Sequence, residues 1–145
     1  MKLLTSIGPN PRTVLEKGVT IPFVEVDLMG GENRRPPYTD RNPAGQLPAL
    51  ELDDGRVLGE TIAICEDLEE LHPQPALIGA TPEERAETRM WLRRIELGIT
   101  EHLYNAFRFG VGIDLFRPRM RVLPEAVEGL KGIVADKVAW LDGQL

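Results

Sequence analysis

The chain has 145 residues, 42% apolar and 28% charged, with 23 acidic against 17 basic side chains and a net charge of −6. Those proportions are those of a globular chain with material for a core, and the acidic balance argues against general nucleic-acid binding, which requires a basic face. No apolar run reaches the length of a membrane span, the opening MKLLTSIGPNP lacks the apolar core and cleavage site of a secretory leader, and the lone Cys65 excludes an internal disulfide and a cysteine-built zinc site. The expected compartment is the cytoplasm.

In chain order, Lys2 to Ser6 reads as a short strand, and PNPRTVLEKGV as a turn followed by a helical stub that Gly18 ends. IPFVEVDL reads as a second strand. MGGENRRPPYTDRNPAG is a long polar loop rich in Gly and Pro, and loops of that length are commonly functional or mobile. ALEL and RVL around DDG form a β-hairpin. From Glu60 the pattern turns helical, with Ile64, Leu68 and Leu71 on one stripe. The first half is therefore mixed α/β, ending at residue 72.

HPQPALIGAT is a Pro-rich linker, taken as residues 73–81 with the preceding His72. Residues 82–145 read as all-helical. Thr81, Pro82 and Glu84 make a capping box. Leu92, Ile95, Ile99, Leu103 and Ala106 mark one apolar face, and Leu123, Val127, Leu130, Val134, Val138 and Leu141 a second, on a helix starting near Pro124. Two long helices bury only part of each stripe, so the sequence is expected to belong to a longer chain.

The segment NPAGQLPALELDDGRVLGETIAI, Asn42 to Ile64, together with EKGV before the second strand, resembles the soluble glutathione transferases, and the resemblance covers nearly the whole chain. It implies a thioredoxin-like N-terminal domain followed by an all-α domain, apparently incomplete here. It also implies glutathione as co-substrate, no metal, a small apolar electrophile and a homodimer. Pro48 looks like the family's cis-proline, which aims the main chain of Leu47 outward to pair with the cysteinyl backbone of glutathione as one more strand. Glu60 and Thr61 look like the pair that holds the γ-glutamyl end: the carboxylate suits the ligand's ammonium, and a hydroxyl and N–H at a helix N-terminus suit its carboxylate. The same two residues also suit plain helix capping.

The implied chemistry begins with a thiol whose pKa is about 8.5 and whose thiolate alone is strongly nucleophilic. Lowering that pKa by ~2 units takes about 3 kcal/mol of preferential stabilisation of the anion. Family members place a Tyr, Ser or Cys after the first strand for this purpose, and the nu-like bacterial members an asparagine. Here SIGPNPRTV offers no Tyr or Cys, and Gly8 stands where many relatives with PNPR carry serine. Asn10 is the first candidate donor to sulfur, with Ser6 and Thr13 as alternatives, and GPNP is equally compatible with a simple turn. The stub is about one turn shorter than the family's helix at this point, at 3.6 residues per turn.

Arg34, Arg35 and Arg41 lie in the long loop, where the family meets the glycyl carboxylate, and Gln46 can add a hydrogen bond at that end. Tyr104, Phe107 and Phe109 either line a pocket for the electrophile or serve as core and interface. Trp91 and Met90 are assigned to domain or subunit packing and Cys65 to the core; Asp67 either faces the core, where an unpaired carboxylate is costly, or joins Glu66 and Glu69 in a solvated acidic face, the commoner meaning of such a run. His72 and His102 have no acidic residue at ligand spacing, so no metal site is expected. The expected activity is conjugation of glutathione to small electrophiles. A glutathione-dependent disulfide reductase or peroxidase, and a non-catalytic binding protein on the same fold, are the alternatives.

Overall fold

The structure is a computed structural model that describes residues 1–6 and 12–144. The backbone groups into two units, Met1–Leu77 and Ile78–Leu145.

In the first unit, β1 (Lys2–Thr5), α1 (Arg12–Glu16) and β2 (Phe23–Glu25) are followed by a 3-10 turn at Glu32–Arg34 and a short helix, α2 (Tyr38–Arg41). Then come β3 (Ala49–Glu51), β4 (Val57–Leu58) and α3 (Thr61–Leu71). The sheet order is β2-β1-β3-β4, with β2 parallel to β1 and the other pairs antiparallel. This is the thioredoxin-like order expected from the sequence. The second strand is shorter than IPFVEVDL suggested: all of Phe23–Glu25 is exposed at the sheet edge, so pairing with β1 alone defines it.

Strand alternation sends Leu3 and Leu4 to opposite faces and so founds two cores. On one face Leu3 and Leu50 pack with Val14 of α1, Ile21, and Ile64 and Leu68 of α3. On the other, Leu4 and Ala49 pack with Val26 and Tyr38 of α2. Gly18, at φ 63, closes α1 in a left-handed turn: its N–H donates to the Leu15 carbonyl, and the Val19 N–H to the Val14 carbonyl.

Three expectations are corrected here. The 29–45 loop is not a plain polar excursion, because Asn33, Tyr38 and Asn42 are buried in it. Glu69 does not belong to a solvated acidic face. Its Oε2 lies 2.6 Å from Lys17 Nζ, with side chains only 3% and 0% exposed, and the ammonium also donates to the carbonyls of His72 (2.7 Å) and Pro75 (2.6 Å). Asp67 is half-buried, with Oδ2 enclosed and unpartnered among the described residues.

In the second unit, α4 (Pro82–Ile95) starts at the expected capping box: the Glu84 N–H donates to Thr81 Oγ1, and the Glu84 carboxylate accepts from the Thr81 and Ala80 N–H groups. Those backbone donors hold the Glu84 pKa below its ordinary value. The helix continues through a π turn at Glu96–Thr100 into α5 (Glu101–Phe109). A short α6 (Ile113–Phe116), absent from the sequence reading, precedes a 3-10 turn at Pro124–Ala126 and α7 (Val127–Asp142). The Trp91 and Trp140 rings, 6.0 Å apart, join α4 to α7. Among the described residues of this unit only Ala106 and Phe109 are buried, while Ile95, Leu103 and Val138 remain exposed. Two antiparallel stripes shield each other on one side only. No helix among the described residues is long and apolar enough to cross a membrane.

Candidate functional site

The sheet register directs Ser6, Leu47, Pro48 and Glu60 toward one end of the sheet. Leu50 pairs with Leu58 in the antiparallel β3–β4 hairpin, so extending that register by two residues sets Pro48 opposite Glu60. Leu4 pairs with Ala49, and the same extension sets Ser6 opposite Leu47. The end of β1, the approach to β3 and the start of α3 therefore converge.

At that end the Leu47–Pro48 peptide is cis, as are Pro36–Pro37 and Gln74–Pro75. Neither the N–H nor the C=O of Leu47 takes a hydrogen bond among the described residues. The segment before it is tightly held. The Tyr38 hydroxyl donates to the Gln46 carbonyl at 2.7 Å, Asn42 Nδ2 donates to the same carbonyl at 3.0 Å, and Asn33 Nδ2 donates to the Gly45 carbonyl at 2.6 Å. Gly45 has φ 61, and a Cβ there would meet the Asn33 carbonyl oxygen at 2.7 Å, so only glycine fits. Nothing in the sequence pattern marks these buried donors. A tyrosine and two asparagines inside a run of Pro, Gly and Arg look like ordinary turn residues.

Glu60 is the one non-glycine residue with positive φ among the described residues, at φ 62 and ψ 117. Such a conformation costs about 1–3 kcal/mol and persists where surroundings impose it, commonly at binding sites. Its carboxylate makes no capping hydrogen bond, so the expected alternative of plain capping is not what the side chain does. Glu60 and Thr61 are both exposed, at the N-terminus of an 11-residue helix whose first N–H groups have no side-chain cap.

The other predicted residues are placed as follows. Asn10 and Gly8 lie outside the described residues. Ser6 is half-buried and lines, with Glu25 to Met29, a shallow cavity of about 210 Å³ that Leu47, Glu60 and Thr61 do not line. Thr13 is turned toward α3, with Oγ1 3.1 Å from the half-buried Cys65 Sγ. Arg41 is engaged with Glu51, which also takes Lys2 at 3.1 Å. Hydrogen bonds from those two cations, Arg41 first, hold the Glu51 pKa below its ordinary value. Arg34 donates to the Ala44 carbonyl at 3.3 Å. Gln46 has an exposed side chain. In the second unit Tyr104 and Phe107 are 53% and 46% exposed, available for contact, while Phe109 is buried. Among the described residues no group of three His, Cys, Asp or Glu side chains is placed to hold a metal.

Residues 12–76 match the family model described as the glutathione S-transferase N-terminal domain. Over the whole chain, the crystal structure of a glutathione S-transferase domain-containing protein from Marinobacter aquaeolei superposes with a TM-score of 0.87 at 33% identity, covering 99% of this chain and 73% of that one. The chain belongs to the glutathione S-transferase family.

Glutathione S-transferase 2 of Saccharomyces cerevisiae is 36% identical over 140 residues, 89% of this chain and 60% of that protein. A maleylacetoacetate isomerase of Pseudomonas aeruginosa is 45% identical over 75 residues, 50% of this chain and 35% of that protein. The chain thus spans about 60% or less of the length of these curated relatives.

Proposed function

We propose that the protein is a cytoplasmic glutathione transferase whose tripeptide lies across the end of the sheet where Leu47, Pro48, Glu60 and Thr61 converge. The observation that carries the reading is that, at one end of the sheet, a Leu47 main chain with no hydrogen bond among the described residues lies across from a strained Glu60 with no side-chain cap. Leu47 N–H and C=O pair with the cysteinyl backbone. The Glu60 carboxylate takes the ligand's ammonium, and Thr61, aided by the positive end of α3, takes the γ-glutamyl carboxylate. Gln46 and Arg41 serve the glycyl end, and for Arg41 this means exchanging its partner Glu51 for the ligand. Asn10 or Ser6 donates to the sulfur and favours the thiolate.

The thiolate then attacks an electrophilic carbon. A carbon–sulfur bond forms, the leaving group departs with the electron pair, and the thiol proton goes to solvent. The nucleophile belongs to the tripeptide; the chain supplies orientation and electrostatic stabilisation. Tyr104 and Phe107 offer apolar surface to the electrophile. In the proposed division, residues 1–72 bind glutathione, 73–81 link, and 82–145 contribute to the electrophile site of a homodimer.

Incubation with reduced glutathione and a panel of apolar electrophiles, followed by mass spectrometry, is expected to show enzyme-dependent conjugates. Turnover confined to a hydroxyethyl disulfide or an organic hydroperoxide would replace the transferase with a reductase or peroxidase. Glutathione binding with no turnover of any class would leave a non-catalytic binding protein.

A further inference from the structure

We propose that Tyr38 is a positioning residue for glutathione: through its hydroxyl, with the Asn42 amide, it fixes the Gln46–Leu47 peptide so that the Leu47 N–H stands ready for the ligand. The inference rests on the glutathione site proposed above and concerns how that site is held.

The Gln46 C=O and the Leu47 N–H belong to the same planar, trans unit and point in opposite directions. Whatever grips the carbonyl therefore sets the direction of the N–H. The grip here is twofold, the Tyr38 hydroxyl at 2.7 Å and Asn42 Nδ2 at 3.0 Å, and Asn42 Nδ2 also donates to the Tyr38 oxygen at 3.2 Å. Tyr38 and Asn42 are 8% and 7% exposed, so the bond between them is buried and their bonds to the Gln46 carbonyl are partly so. One residue earlier, Asn33 holds the Gly45 carbonyl and the Asn42 carbonyl accepts from the Gly45 N–H, so the turn cannot swing as a whole.

The arrangement also sharpens the donor. Hydrogen bonds accepted by an amide carbonyl polarise that amide and strengthen its own N–H, more so at low local dielectric. Burial pushes the Tyr38 pKa up from the ordinary phenol value, which favours the protonated hydroxyl, the form that donates to the carbonyl. Without the grip, the Leu47 N–H would sample directions that the ligand must reorder on binding, and that ordering cost appears as lost affinity.

Tyr38→Phe keeps the ring in its core cluster and removes only the hydroxyl. The expected result is a rise of about three- to tenfold in the glutathione Kd and in KM for glutathione, the size of one neutral hydrogen bond. The electrophile KM and the kcat at saturating glutathione are expected to stay unchanged. A merely structural role would instead lower the folded, active fraction and so scale kcat while leaving KM alone. Glutathione binding by Tyr38→Phe indistinguishable from the unsubstituted protein overturns the inference and leaves the proposed function standing. Failure of the unsubstituted protein to bind overturns both.

A second measurement does not need that variant to fold. The chain has two tyrosines, so fluorotyrosine labelling gives a fluorine spectrum that Tyr104→Phe assigns. The Tyr38 resonance is expected to move as glutathione saturates, and a resonance that stays fixed at saturation overturns the inference.

Discussion

Replacing Lys17 by alanine is expected to destabilise the Met1–Leu77 unit by about 3–5 kcal/mol, the usual cost of leaving a buried charge without its partner. Total stabilities of about 5–15 kcal/mol make this a large fraction of the whole. The ammonium has three N–H donors and three acceptors around it: Glu69 Oε2 and the carbonyls of His72 and Pro75. Its loss strands the Glu69 carboxylate, one oxygen of which already lacks a partner among the described residues. It also frees the chain just after α3, where the first unit ends. Urea denaturation followed by circular dichroism reads the effect. The double variant Lys17→Met with Glu69→Leu is expected to recover much of the loss, because apolar groups of similar volume need no counter-charge. It does not recover all of it, since the two carbonyls remain unserved. A single-variant cost below about 1 kcal/mol would mean that the pair behaves like an exposed one and that the burial argument fails.

Glu60→Gly is expected to pull stability and binding in opposite directions. Glycine accepts φ 62 without steric cost, which relieves about 1–3 kcal/mol of backbone strain. Its greater freedom in the unfolded chain returns about 0.5–1 kcal/mol of that, so the net gain in stability is modest but positive. The same substitution deletes the carboxylate assigned to the glutathione ammonium. A charge-assisted hydrogen bond is worth about 1.5–3 kcal/mol, so affinity should fall about ten- to a hundredfold. A thermal melt and a binding titration on one preparation test both halves. Lower stability would remove the strain argument, and unchanged affinity would remove Glu60 from the ligand's environment.

The parts of the molecule legible in the sequence are those specified by local rules. The hairpin announces itself through DDG between short apolar runs, and α4 through Thr81, Pro82 and Glu84. The segment from Gly45 to Thr61 carries a proline, hairpin and acidic helix start, and the β3–β4 register sets that proline and helix start across from each other. The parts not legible depend on partners far away in sequence. Glu69 sits in an acidic run whose pattern suggests solvent, and only Lys17, 52 residues earlier, makes its burial tolerable. Tyr38 and Asn42 look like turn residues because their role is to serve carbonyls of the same loop, which no periodicity reports. The π turn within the α4–α5 helix and the short α6 have no sequence signal strong enough to displace a continuous helix. Arg41 reads as a ligand residue from its loop position alone, whereas its partner Glu51 comes from the interior strand β3.

The central claim is that reduced glutathione binds at the end of the sheet where Leu47, Glu60 and Thr61 meet. Calorimetric titration of reduced glutathione into the protein, beside Thr61→Ala, tests it most directly. The account predicts saturable binding by the unsubstituted protein and a loss of about tenfold or more in affinity when the Thr61 hydroxyl is removed, as for a hydrogen bond to a charged group. No binding to the folded protein, or binding that Thr61→Ala leaves untouched, would contradict it.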